Sequence, residues 1–142
     1  MNSIKQVFLA SLLGTAVFTA QVQAETAVIV HPDNPSTSLA PSEISRIYLG
    51  KSKKFPNGSS VIPIDQSDSA AIRDSFLSSV MEKSASQVKS YWSKRIFTGK
   101  GTPPKQVASS AEMKELVASN PATIGYIDAS EVDASVKVVY SY

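Results

Sequence analysis

Residues 61–76 read Val-Ile-Pro-Ile-Asp-Gln-Ser-Asp-Ser-Ala-Ala-Ile-Arg-Asp-Ser-Phe, and no other stretch restricts the fold as much. A short β-branched run leads through a turn of small hydroxyl residues into the first turns of an amphipathic helix. A buried strand that feeds a helix this directly places the helix on a face of its own sheet, so an α/β domain is expected. The same layout suits an anion. Amides at a helix N-terminus lack intrahelical partners, serine hydroxyls add donors, and the macrodipole favours negative charge. The candidate ligand groups are Ser67, Asp68, Ser69, the amides around Ala70 and Ala71, and Arg73, whose fork can hold an oxyanion through two bonds. The plainer alternative is a capped helix start, with Ser67 or Asp68 as N-cap and Arg73 a surface residue near Asp74.

The remaining sequence supplies layers around this unit. Short apolar runs at 26–30, 61–64, 122–127 and 136–140 read as strands. Pro63 assigns the second of them to an edge or confines the proline to the strand's first residues. Gly125 marks a bulge or a close backbone approach. Helical spacing recurs in Ile44, Ile47 and Tyr48 after a Pro41 start, with Gly50 as terminator. It recurs again in Ile72, Phe76, Leu77, Val80 and Met81, and in Val88, Tyr91, Trp92 and Ile96. Ser84-Ala85-Ser86-Gln87 and Ser109-Ser110-Ala111-Glu112 are capping boxes, the second opening a helix with Met113, Leu116 and Val117 inward. Trp92 is expected in the core. The order β-α-β-α-α-α-β-β predicts a small mixed sheet flanked by helices.

Composition excludes several chemistries. The 142 residues include no cysteine and one histidine, His31. A disulfide framework, a thiol nucleophile, cysteine-ligated metal and a histidine-based triad or metal cluster all lose their reagents. No cofactor is expected. Residues 1–24 read as a signal peptide, with Lys5 before an apolar run and Val22-Gln23-Ala24 at the cleavage point. That predicts a periplasmic, secreted product, with residues 25–142 forming one domain. No stretch reaches the roughly 20 apolar residues that a membrane-spanning helix needs. Without Lys5 the balance is 13 basic to 12 acidic residues, no footprint for nucleic acid. Lysines at 51, 53 and 54, and the basic residues Lys94, Arg95, Lys100 and Lys105, read as solvated loop faces.

Longer motifs carry a resemblance. Leu39-Ala40-Pro41-Ser42-Glu43-Ile44 through Tyr48-Leu49-Gly50-Lys51, then Tyr91-Trp92 and Phe97-Thr98-Gly99, then Pro103-Pro104, and finally Asn120-Pro121-Ala122-Thr123-Ile124-Gly125-Tyr126 resemble the periplasmic phosphate-binding-protein family of ABC importers. The resemblance implies a single lobe of a type II periplasmic-binding-protein-like fold, one half of a two-lobed clamshell. It also implies phosphate or a similar oxyanion as ligand and an ABC permease or membrane sensor as partner. The family's phosphate turn in this lobe has an arginine and then a Gly-Ser-Gly-Thr run. Here residues 65–71 lack the glycines, Asp65 or Gln66 replaces the arginine, and Asp68 brings a negative charge to the helix start. A carboxylate there can still accept a hydrogen bond from a protonated phosphate.

Two functional readings of different class follow. One is an exported, non-enzymatic solute-binding protein holding an oxyanion weakly at the strand-turn-helix site. The other is an interaction module, a lobe that has lost its ligand and docks on a sensor, a porin or another copy of itself as a homodimer. An enzyme is the weakest reading, because Asp65, Asp68 and Asp74 have no nucleophile or metal-ligand spacing beside them.

Overall fold

The computed structural model of the chain describes residues 14–17 and 25–142. The expected signal segment, residues 1–24, lies outside the described residues apart from 14–17. The elements are β1 (Thr26–Val30), α1 (Pro41–Tyr48), β2 (Ile62–Gln66), α2 (Ala71–Val80), α3 (Ala85–Phe97), β3 (Lys105–Val107), α4 (Ser110–Ser119), β4 (Thr123–Asp128), a 3-10 turn (Ala129–Glu131) and β5 (Lys137–Ser141). They form a five-stranded mixed sheet in the order β3-β2-β4-β1-β5. β2 runs parallel to β3 and β4, while β1 is antiparallel to β4 and β5.

Alternation along the central strands divides the core into two. Val28, Val30, Ile124 and Tyr126 point to the face covered by α1, α2 and α3, where they meet Ile44, Ile47, Phe76, Leu77, Val88 and Trp92. Ala27, Ile29 and Ile127 point the other way, onto Met113 and Val117 of α4. β1 is buried along its whole length because helices cover both of its faces. All of these elements and both apolar clusters fall within 25–142.

Several local expectations meet their physical reasons here. Trp92 is in the core, against Gly50, which ends α1 with φ +68. Gly125 is a close approach: a Cβ there would lie 2.9 Å from Cγ of Met113 and within reach of its sulfur. Pro63 is the second residue of β2, where β3 has not yet begun to pair, so its missing donor breaks no bond to β3. Ser84 and Gln87 close their capping box.

Two expectations need correction. β3 was not expected; only Val107 of its three residues is buried, so it has no alternating pattern to betray it. Ile96 was expected to face inward with Trp92, but it lies on the outer side of α3 and is exposed.

Candidate functional site

The site begins with a charge at the end of a buried strand. Asp65 is the fourth residue of β2, and its side chain is 8% exposed. A carboxylate so placed needs partners, and it has three. One oxygen, Oδ1, accepts from the backbone N–H of Gln66 at 2.8 Å and from the hydroxyl of Tyr126 in a short bond; the other, Oδ2, accepts from Nε of Arg73 at 3.1 Å. Arg73 comes from the first turn of α2 and is itself 9% exposed at its side chain. Burial, then the Asp65 charge, raise the Tyr126 phenol well above its ordinary value, so it stays a donor. Beneath this pair Tyr126 stacks on Phe76 at 3.9 Å, and Tyr48 meets Phe76 edge-on at 4.8 Å while donating to the carbonyl of Ile64 at 2.8 Å. Aromatic packing therefore fixes the floor on which the ion pair rests.

The turn above it is held by its backbone. Ser67 N–H donates to Val107 at 2.9 Å and Ala70 N–H donates to the carbonyl of Ser67 at 3.0 Å. The Ser67 and Ser69 hydroxyls are 3.0 Å apart. Neither Ser67 nor Asp68 caps the helix. The N-cap of α2 is Ala70, which has no side chain for the task, and no side-chain cap bond forms. The capped-start alternative is thereby corrected, as is its surface Arg73. Of the two amides singled out, that of Ala70 is taken and that of Ala71 finds no protein acceptor among the described residues; the next amide, of Ile72, finds none there either.

Asp68 is 81% exposed and accepts from Nε2 of Gln106 at 2.8 Å, with Nη1 of Arg73 at 3.5 Å. Nη2 of Arg73 donates to no protein acceptor among the described residues and is not sealed from solvent. Arg73, inside the first turn of the helix, is thus oriented by Asp65.

A groove of about 670 Å³ opens beside the turn. Asp65, Asp68 and Arg73 form its polar end, Trp92, Ile96, Pro103 and Pro104 its apolar walls, and Lys89 adds a second cation. Of the six residues expected from sequence, Asp68 and Arg73 reach this groove. Ser67, Ser69, Ala70 and Ala71 sit on the turn outside its lining. Asp65, Tyr126, Lys89 and Gln106 were missed as contributors. Asp65 had a signal, since a carboxylate inside an otherwise apolar strand demands a buried cation. Lys89 and Gln106 are brought in by tertiary packing and had none.

Solved structures share this architecture. The chain matches a phosphate ABC transporter substrate-binding protein with bound phosphate from Clostridium perfringens at TM-score 0.67 and 27% identity, over 82% of this chain and 45% of that one. The chain has a phosphate-binding-protein-like fold. An ABC-type phosphate transport receptor from Vibrio cholerae (TM-score 0.64, 24% identity, 82% and 46% covered) and PstS from Borrelia burgdorferi (0.61, 16%, 82% and 47%) share it. The chain spans less than half the length of each of these proteins. No family model and no curated protein matches it. Among the described residues no helix is long and apolar enough to cross a membrane.

Proposed function

We propose that the chain is an exported, non-enzymatic binding protein that holds phosphate or a similar oxyanion at the start of α2. The observation that carries this reading is an uncapped helix N-terminus whose first two amides find no protein acceptor among the described residues, with Ser67 and Ser69 on the turn that leads into it and Arg73 in its first turn. Those groups are donors, and the helix dipole adds to them. Asp68 accepts from a proton-bearing oxygen of the ligand, which favours a protonated oxyanion over one without a proton. Asp65 pairs with the arginine and reduces its net attraction, so the affinity is weak. Residues 1–24 direct export to the periplasm, residues 25–142 form the binding domain, and an ABC permease is the partner. The likeness to a protein solved with phosphate bound supports the choice of anion.

Ala71→Pro tests the site with little disturbance. Proline is tolerated at the first helical position, and Ala70, at φ −77 and ψ 124, already has the extended conformation required before proline. The substitution removes one amide donor only. A hydrogen bond to a charged group contributes about 1.5–3 kcal/mol, so calorimetry with inorganic phosphate should show affinity falling roughly tenfold or more, with thermal stability kept. Equal affinity in the two proteins would remove the turn from the site. No heat with either would favour the interaction-module reading.

A further inference from the structure

Charge is divided unevenly along the folded segment. Between residues 83 and 111 there are six cations, Lys83, Lys89, Lys94, Arg95, Lys100 and Lys105, and no carboxylate. The rest of 25–142 carries seven cations against all twelve acidic residues of the chain. Much of the positive block lies on α3 and the turn after it. Val88 and Trp92 turn one side of α3 into the core. At helical spacing the opposite side presents Lys94 and Phe97, while Lys89, Ser93 and Ile96 line the groove.

At the end of this face stands an apolar tip. Phe97 is 92% exposed and Ile96 is 53% exposed. Ile96 reaches the wall of the groove, whereas Phe97 lies outside it. Arg95 points inward, its guanidinium 5.4 Å from the Tyr91 ring and 5.8 Å from the Trp92 ring. It donates from Nη2 to the carbonyl of Lys100 at 3.3 Å, and the amide of Lys100 returns to the Arg95 carbonyl at 2.8 Å. Arg95 therefore fixes the turn that carries Lys100 close to Phe97.

We propose that the outer face of α3 and its following turn dock on an anionic bilayer surface. Phe97 enters the headgroup layer, and Lys94 and Lys100 meet lipid phosphates. Charge complementarity argues for an anionic occupant, since residues 83–111, which include α3 and its turn, carry six cations and no carboxylate. Shape argues for a bilayer over an acidic protein: Phe97 projects from a helix end, 92% exposed and outside the lining of the groove, and a fluid headgroup layer takes up such a tip without a pocket to receive it. Ammonium groups on flexible stems suit a diffuse anionic surface better than a fixed bidentate pairing. This inference is independent of oxyanion binding at α2.

Residues 25–142, which omit the apolar N-terminal segment, are sedimented with phosphatidylglycerol/phosphatidylethanolamine vesicles and with phosphatidylcholine vesicles. Binding is expected to the anionic vesicles alone and to disappear at about 0.5 M salt. Each lysine near such a surface is worth roughly a fivefold change in partitioning. Lys94→Glu with Lys100→Glu should therefore lower it about 25-fold or more, and Phe97→Ser several-fold, with unchanged circular dichroism because all three side chains are exposed. Equal binding to both vesicle types would overturn the proposal, as would anionic binding indifferent to these substitutions. Polyglutamate binding that the lysine substitutions abolish, without vesicle binding, would assign the face to an acidic protein.

Discussion

Asp65→Asn should weaken the fold and strengthen the anion site together. The asparagine oxygen can still accept from Tyr126 and from the Gln66 amide, so those two bonds survive the exchange. Arg73 loses the charge that balances its nearly buried guanidinium. Removing one partner of a buried pair costs about 3–5 kcal/mol. The lower end applies, because Nη1 keeps Asp68 at 3.5 Å and Arg73 lines the groove. For a domain of this size about 3 kcal/mol corresponds to a melting temperature roughly 10 °C lower. The same substitution removes the negative charge that pairs with the arginine. Like charges near a protein surface repel by about 4 kcal/mol at contact range and less farther out. A gain in phosphate affinity of roughly five- to twentyfold is the expected reading by calorimetry. A variant as stable as the parent would refute the buried-pair account, and an unchanged or weaker affinity would refute the placing of the anion on Arg73.

Gly125→Ala drives a Cβ into Met113, so about 1–3 kcal/mol should be lost in a urea titration, and the further change Met113→Ala should recover part of it. Ser84→Ala removes the hydroxyl that accepts from Gln87 N at 3.2 Å at the start of α3 and should cost about 1 kcal/mol by the same assay. Stability should also fall in alkali. The Tyr126 phenol is raised in the folded protein, first by burial and then by Asp65, so its contribution is complete below the unfolded tyrosine value near 10 and declines as pH rises above it. Tyr126→Phe should flatten that alkaline limb, although Tyr48, shifted the same way by burial, leaves a residual slope.

The sequence made the layers readable because burial writes a period into each element. Ala27–Val30 is apolar throughout and β1 is covered on both faces; Ile44, Ile47 and Tyr48 recur at helical spacing and form the buried side of α1. β3 escaped because three mostly exposed residues carry no period. Ile96 misled because its spacing from Trp92 matches an inward position, yet the helix has already turned its end toward the groove. At the site, the turn was located from its serines, but its chemistry depends on pairings across the fold. Asp65 reaches Arg73 eight residues ahead and Tyr126 sixty-one residues ahead, and Gln106 reaches back to Asp68 from β3. The family motifs at residues 39–51 and 120–126 agree with the likeness to phosphate-binding structures, whereas the turn lacks the family's glycines and leads into a helix start that no side chain caps.

The most direct measurement is a crystal structure of residues 25–142 soaked in inorganic phosphate. The expected result is anion density within hydrogen-bond distance of the Ala71 and Ile72 amides, with the Ser67 and Ser69 hydroxyls and Nη2 of Arg73 turned toward it. Phosphate bound elsewhere, with the start of α2 holding only solvent, would contradict the oxyanion site.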